Sequence, residues 1–239
     1  MHSIWVALAG AAVYLDATAV GQLMIGQPLI ACPLWGLIVG RPEIGLFFGV
    51  VFQFLWSGSL AIGAGKFPEG GVGALVATAL AARVPPLESG EPAWVVLAVA
   101  ALIGIAAAQL GGEVTPVVRK VMSRYAPRVV DAAAGGRNGR FRILFGGAIL
   151  IHAITGFTFT LVMFLGGTWL FSLYTGTFST GGISSAVAGS TDSLLSGIWP
   201  ALLGAGVAVI VRQFVSRRHL VWFVVPALLF FAVGLLWQS

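Results

Sequence analysis

Charge is what this sequence of 239 residues has least of. Only 9% of the residues are charged and 58% are hydrophobic, whereas soluble domains carry about 25% charged residues. Apolar stretches long enough to cross a hydrocarbon core of about 30 Å recur along the whole chain. The composition therefore excludes an ordinary soluble protein and predicts an all-α polytopic membrane protein built as a helix bundle.

Several residue patterns with known chemistry are also missing. The single cysteine, Cys32, has no second cysteine with which to form an intramolecular disulfide. The three histidines, His2, His152 and His219, are too dispersed for a metal site. The sequence contains neither a Walker A loop nor a Gly-x-Ser-x-Gly motif. We therefore predict no catalytic residue, no bound metal and no cofactor.

The basic residues lie between the apolar stretches instead of forming a soluble basic domain. Residues 113–142 hold seven of the thirteen lysines and arginines, and a second basic cluster follows at 212–219. This is the pattern of cytoplasmic loops under the positive-inside rule, and it does not indicate nucleic-acid binding. We predict that 113–142 is a basic cytoplasmic loop, with an amphipathic helix over 117–130 and a flexible link over 132–140.

The apolar pattern predicts one membrane domain over residues 1–239, with about six to eight membrane segments. Residues 28–39 and 72–82 are too short to cross alone, so they are predicted to be re-entrant or broken helices. Residues 168–192 are rich in Ser, Thr and Gly and are predicted to form a loop. The predicted spans cover residues 4–25, 44–62, 93–110, 143–166, 194–211 and 220–237.

Polar side chains are concentrated in residues 15–73, which we predict to contain a solute site. Ionisable groups within membrane segments are costly, and they usually face a cavity or a partner and mark function. Side-chain amides can both donate to and accept from sugar hydroxyls. Aromatic rings can stack on the apolar face of a sugar. The candidate residues are Asp16, Gln22, Gln27, Gln53, Trp56, Lys66 and Glu69.

Each polar candidate also has a structural interpretation. Asp16 could cap a helix in the broken region or pair with a basic group, instead of facing a solute. Gln27 precedes Pro28 and could satisfy backbone groups freed by the proline, whereas Gln53 could make a helix–helix hydrogen bond. Lys66 and Glu69 could form a local ion pair or contact a phosphate on the solute. Both interpretations remain open from the residues alone.

The same stretch resembles a known family in an ordered series of motifs. The motifs are the Asp16 segment, Gly-Gln at 21–22, QPLIACPLWGLIVG at 27–40, a glycine-spaced helix from Gly45, and IGA-x-x-x-P-E at 62–69. Together they resemble the enzyme IIC subunit of the mannose/fructose/sorbose branch of the bacterial phosphoenolpyruvate-dependent sugar phosphotransferase system (PTS). The C-terminal half resembles this family only in hydropathy and layout.

The resemblance implies a sugar-translocating subunit of the bacterial inner membrane, within an oligomeric assembly. Its implied partners are an enzyme IID membrane subunit, cytoplasmic IIA and IIB subunits, and a hexose or amino-sugar substrate. In that family phosphate passes from phosphohistidines on IIA and IIB to the sugar, so IIC is not an enzyme on its own.

Three residues depart from the family pattern. Gln53 stands where the family commonly has Glu, Arg41 where it has Asp, and Glu69 where it has Asp. Because of these differences, the substrate could be a different sugar from that of typical members. The chain could also be a PTS-derived regulatory membrane protein with weak transport. The residues alone also permit a stand-alone ion-coupled secondary transporter with Asp16 as its coupling carboxylate, or a membrane scaffold that does not transport.

Overall fold

The computed structural model describes residues 2–57, 67–83 and 94–179. All the regular structure in these ranges is helical, which confirms the predicted all-α class. The predictions for Lys66 and for the last two spans lie outside the described residues. The six helices are α1 His2–Thr18, α2 Pro28–Ile38, α3 Pro42–Trp56, α4 Gly70–Ala81, α5 Trp94–Ala134 and α6 Asn138–Ser179.

Helices α2 and α4 are the two short apolar segments that the sequence predicts. They contain 11 and 12 residues, so at 1.5 Å per residue each is only about 18 Å long. Pro28 begins α2, where its missing N–H needs no partner and its fixed φ suits the first helical turn. Both helices are too short to cross a hydrocarbon core of about 30 Å.

The predicted first span, 4–25, is wrong at its C-terminal end. Helix α1 ends at Thr18, and residues 19–27 form an irregular loop before α2. The backbone turns through left-handed φ angles at Gly21, Gln22 and Met24. Apolar Leu23 and Ile25 extended the hydropathy signal through this loop, because hydropathy does not report backbone geometry.

The helix predicted over 117–130 is confirmed, but it is part of a much longer helix, so the loop predicted over the rest of 113–142 is wrong in its secondary structure. Helix α5 continues through 113–134, and α6 begins at Asn138, so 113–142 forms two helical arms. The chain reverses between them at Gly135–Arg137, where Gly136 has a φ of +64° and the Arg137 N–H donates to the Ala132 carbonyl at 3.0 Å. The flexible link predicted over 132–140 is therefore a tight turn. The cytoplasmic position of these arms remains a prediction.

The loop predicted from residue 168 is wrong over its first part, because α6 continues to Ser179. Trp169, Leu170 and Phe171 extend the apolar helical segment, so the Ser- and Thr-rich composition does not end the helix there. Helices α5 and α6 are long and apolar enough to span a membrane. At 41 and 42 residues, each extends about 60 Å and so passes well beyond the hydrocarbon core.

Helix α4 lies at the centre of the bundle. Eleven of its twelve residues are buried, and it packs on α1, α2, α3, α5 and α6. It approaches α5 closely at Gly73, where an added Cβ would lie 2.4 Å from the Gly104 carbonyl oxygen. Helices α1 and α6 pack closely in the same way, with Gly10 against Thr160 and Gly156 against Tyr14. Such small residues let backbones approach closely in membrane bundles.

We expect Gly73→Ala to lower the melting temperature of the purified protein. The new methyl group would press on backbone of α5, and overpacking of this kind typically costs about 1–3 kcal/mol. Gly166→Ala is the matched control, because a Cβ there meets nothing within 4 Å and both changes favour helix equally. Equal melting temperatures for the two variants would contradict the packing at Gly73.

Candidate functional site

The loop 19–27 is held in place by the carboxylate of Asp16. Its Oδ1 accepts a hydrogen bond from the Leu23 N–H at 2.6 Å, and its Oδ2 accepts one from the Gly26 N–H at 2.8 Å. Asp16 itself is buried, with 7% of its surface exposed. Asp16 therefore has a structural role, because its carboxylate satisfies backbone N–H groups as a helix-capping side chain does. A direct role in solute binding stays a prediction.

Two of the predicted amide side chains meet at the start of α2. Gln53 Nε2, on α3, donates to Gln27 Oε1 at 3.2 Å. Gln53 Oε1 accepts from the backbone N–H of Leu29 at 3.3 Å. The Leu29 N–H belongs to the first turn of α2, where backbone donors have no partner within the helix. The amide pair thus joins α3 to the N-terminus of α2, with Gln27 exposed and Gln53 half-buried.

Trp56 packs at the C-terminal end of α3 against the start of α4. A Cβ added to Gly70 would lie 2.5 Å from Trp56 Cδ1. The Trp56 Nε1 atom is buried and has no hydrogen-bond partner among the described residues. Buried indole N–H groups usually have a partner.

Glu69 lies directly before α4 and faces α5. Its carboxylate accepts a hydrogen bond from the Thr115 hydroxyl, and its N–H donates to the Ala108 carbonyl at 2.9 Å. Gly111 leaves the room for this approach, because a Cβ there would lie 2.7 Å from Glu69 Cβ. The predicted ion pair with Lys66 involves a residue outside the described ranges.

The ends of three broken segments converge at this site. The carbonyl oxygen of Gly26 would be 2.0 Å from a Cβ added to Gly71, so loop 19–27 touches the start of α4. Gln27, Trp56 and Glu69 each lie beside these contacts, at the start of α2, the end of α3 and the start of α4. Gln22 lies in the same loop with an exposed side chain and a φ of +49°. Converging half-helix ends are how several transporters hold their solutes.

Behind Glu69 lies a second group of polar residues that the sequence did not indicate as a site. They surround a cavity of about 110 Å³ between α1, α5 and α6. Thr115 and Arg119 are four residues apart, as are Tyr14 and Thr18, so each pair shares one helix face. This four-residue spacing of polar side chains is the sequence feature from which the group could have been predicted. The lining residues are Tyr14, Ala17, Thr18, Thr115, Val118, Arg119 and His152.

The fold and the site together define a polytopic helical membrane protein in which the ends of short helices bring polar side chains together. Comparison with known proteins specifies the family. Residues 1–235 match the family described as the PTS system sorbose-specific IIC component. The chain belongs to this family of membrane components of sugar phosphotransferase systems, which confirms the predicted resemblance.

A curated protein with a family name of the same kind matches a shorter stretch of the chain. The chain is 31% identical over 77 residues to the PTS system sorbose-specific EIIC component of Lacticaseibacillus casei. The match covers 32% of this chain and only 26% of the length of that relative. A solved structure described as "Structure of membrane protein" has a TM-score of 0.62 at 16% identity, covering 99% of this chain and 90% of the other. That likeness shows a shared fold.

Proposed function

We propose that this chain is the sugar-translocating subunit of a phosphoenolpyruvate-dependent phosphotransferase system of the mannose/fructose/sorbose type. The main support is the family match over residues 1–235. In this proposal the protein lies in a bacterial inner membrane, binds a hexose or amino sugar, and passes it to cytoplasmic phosphorylating subunits. It supplies the binding site and the pathway, and is not an enzyme on its own.

The proposed sugar site is the group of polar and aromatic side chains at the converging helix ends. Gln27 and Gln53 offer amide donors and acceptors to sugar hydroxyls. Trp56 offers a ring face and an indole N–H, and Glu69 offers a carboxylate acceptor. Asp16 acts indirectly in this assignment, by holding the loop that leads to Gln27. Gln22 and Lys66 remain candidates for solute contact.

The proposed partners are an enzyme IID membrane subunit and cytoplasmic IIA and IIB phosphocarriers, together in an oligomer. Large apolar side chains are exposed along the described helices, including Trp5 at 60%, Ile38 at 73% and Ile143 at 76%. Such surfaces need cover from lipid tails or from another membrane subunit. The basic arms over 113–142 would meet the cytoplasmic subunits if they follow the positive-inside rule.

The test is sugar phosphorylation by membrane vesicles that contain this chain with its IID, IIA and IIB partners. Vesicles supplied with phosphoenolpyruvate should convert labelled sugar to sugar phosphate, and vesicles lacking this chain should not. Trials across hexoses and amino sugars identify the substrate. Uptake driven by a pH gradient without phosphoenolpyruvate would overturn the proposal in favour of an ion-coupled transporter.

A further inference from the structure

The cavity behind Glu69 has the lining of an oxyanion site. Arg119 is exposed at its edge, His152 is half-buried, and Tyr14 and Thr115 are buried. Arginine presents several N–H donors and remains charged. The cavity has a free volume of about 110 Å³, whereas a water molecule in the liquid occupies about 30 Å³. The space is therefore enough for a tetrahedral phosphate group.

The hydrogen bonds in the cavity leave donors available to such a ligand. His152 Nδ1 lies 2.9 Å from the Ala148 carbonyl, so Nδ1 is the donor there. The remaining nitrogen, Nε2, donates to a phosphate oxygen only when the ring is protonated. Thr115 donates to Glu69, so the Tyr14 hydroxyl donates to Thr115 Oγ1, at 3.4 Å. That distance is long for a hydroxyl hydrogen bond. The Tyr14 hydroxyl can therefore turn to an anion at little cost.

The cavity is linked to the proposed sugar site through Thr115. Its hydroxyl contacts Glu69 on one side, and Arg119 follows one helical turn further along α5. A molecule leaving the sugar site toward the basic arms would therefore pass from Glu69 to Arg119. The negative charge of the Glu69 carboxylate repels an anion in the cavity, whereas the positive charge of Arg119 attracts it. We therefore expect an anion to bind weakly. Weak binding suits a product that must leave.

We propose that this cavity binds the phosphate group of the phosphorylated sugar as it leaves the site. This inference rests on the proposed function, and it assigns Arg119, His152 and Tyr14 to product recognition. Free phosphate offers the same oxygens, but it lacks the sugar ring that would reach back toward Glu69. A hexose phosphate should therefore bind more tightly than inorganic phosphate.

The experiment measures equilibrium binding of a labelled hexose, the same hexose 6-phosphate, and inorganic phosphate. It uses the full chain with its partner subunits in nanodiscs. Arg119→Gln should weaken hexose-phosphate binding about tenfold relative to free-hexose binding, since a charged hydrogen bond is lost. His152→Asn keeps a donor for the Ala148 carbonyl but removes the Nε2 position, so it should weaken the same ligand. If Arg119→Gln fails to assemble, His152→Asn provides the test.

Arg124→Gln is the matched control, because Arg124 is exposed on the same helix and does not line the cavity. It should leave binding of all three ligands unchanged. Hexose binding without detectable hexose-phosphate binding would overturn this inference and leave the proposed function standing. Equal affinity for inorganic phosphate and hexose phosphate would also overturn it, as would equal losses in Arg119→Gln and Arg124→Gln. If neither hexose nor its phosphate binds, the proposed function itself fails.

Discussion

Replacing Gln53 by leucine should abolish sugar binding without dispersing the complex. The change removes the donor to Gln27 Oε1 and the acceptor for the Leu29 N–H, and a typical intramolecular hydrogen bond contributes about 0.5–1.5 kcal/mol. The leucine side chain also offers no hydrogen bond to a sugar hydroxyl. We therefore expect binding of labelled sugar to fall by about 100-fold or more. Size-exclusion chromatography of the complex checks that assembly is intact.

Gln53→Glu is the matched control, since it returns the residue that the family commonly carries. A glutamate keeps an acceptor for the Leu29 N–H but cannot donate to Gln27. We expect this variant to retain binding with a changed order of preference among hexoses and amino sugars. Unchanged uptake by Gln53→Leu would contradict the assignment, and would leave Gln53 as a helix–helix hydrogen bond only.

The short helices were predictable because local residues set their limits. Pro28 fixes the start of α2, and the sequence leading into α4 is rich in glycine, which disfavours helix. The arms of α5 and α6 were not predictable in the same way. Clustered arginines report where a segment lies relative to the membrane, and they are equally compatible with a helix or a loop. Only the Gly135–Gly136 pair marks the turn between the arms.

The pairing of site residues depends on tertiary contacts that no local pattern encodes. The sequence identified Gln27 and Gln53 separately, but the two lie 26 residues apart on different segments. For Glu69 the sequence suggested only Lys66, which lies outside the described residues, whereas the Thr115 contact is made across to α5 and has no local signal. Gly26, Gly70 and Gly71 explain the convergence, since each leaves space that a side chain would fill.

Replacing Asp16 by alanine should loosen the loop over residues 19–27 and reduce sugar binding, even with no contact between Asp16 and the sugar. The change leaves the N–H groups of Leu23 and Gly26 without their carboxylate acceptor. Each hydrogen bond to a charged group is worth about 1.5–3 kcal/mol, so the free energy of unfolding should fall by about 3 kcal/mol or more. Hydrogen exchange within 19–27 and the melting temperature report the loss.

Asp16→Asn separates this structural role from that of a coupling carboxylate. The asparagine retains one oxygen acceptor, but its NH₂ group would face one of the two backbone N–H groups, donor against donor. If Asp16 holds the loop, this variant should show faster exchange in 19–27 together with weaker sugar binding, both to a smaller extent than alanine. Normal exchange and normal sugar binding with complete loss of uptake would contradict that role. The charge of Asp16 would then be what transport requires, because the loop and the position of Gln27 would be intact.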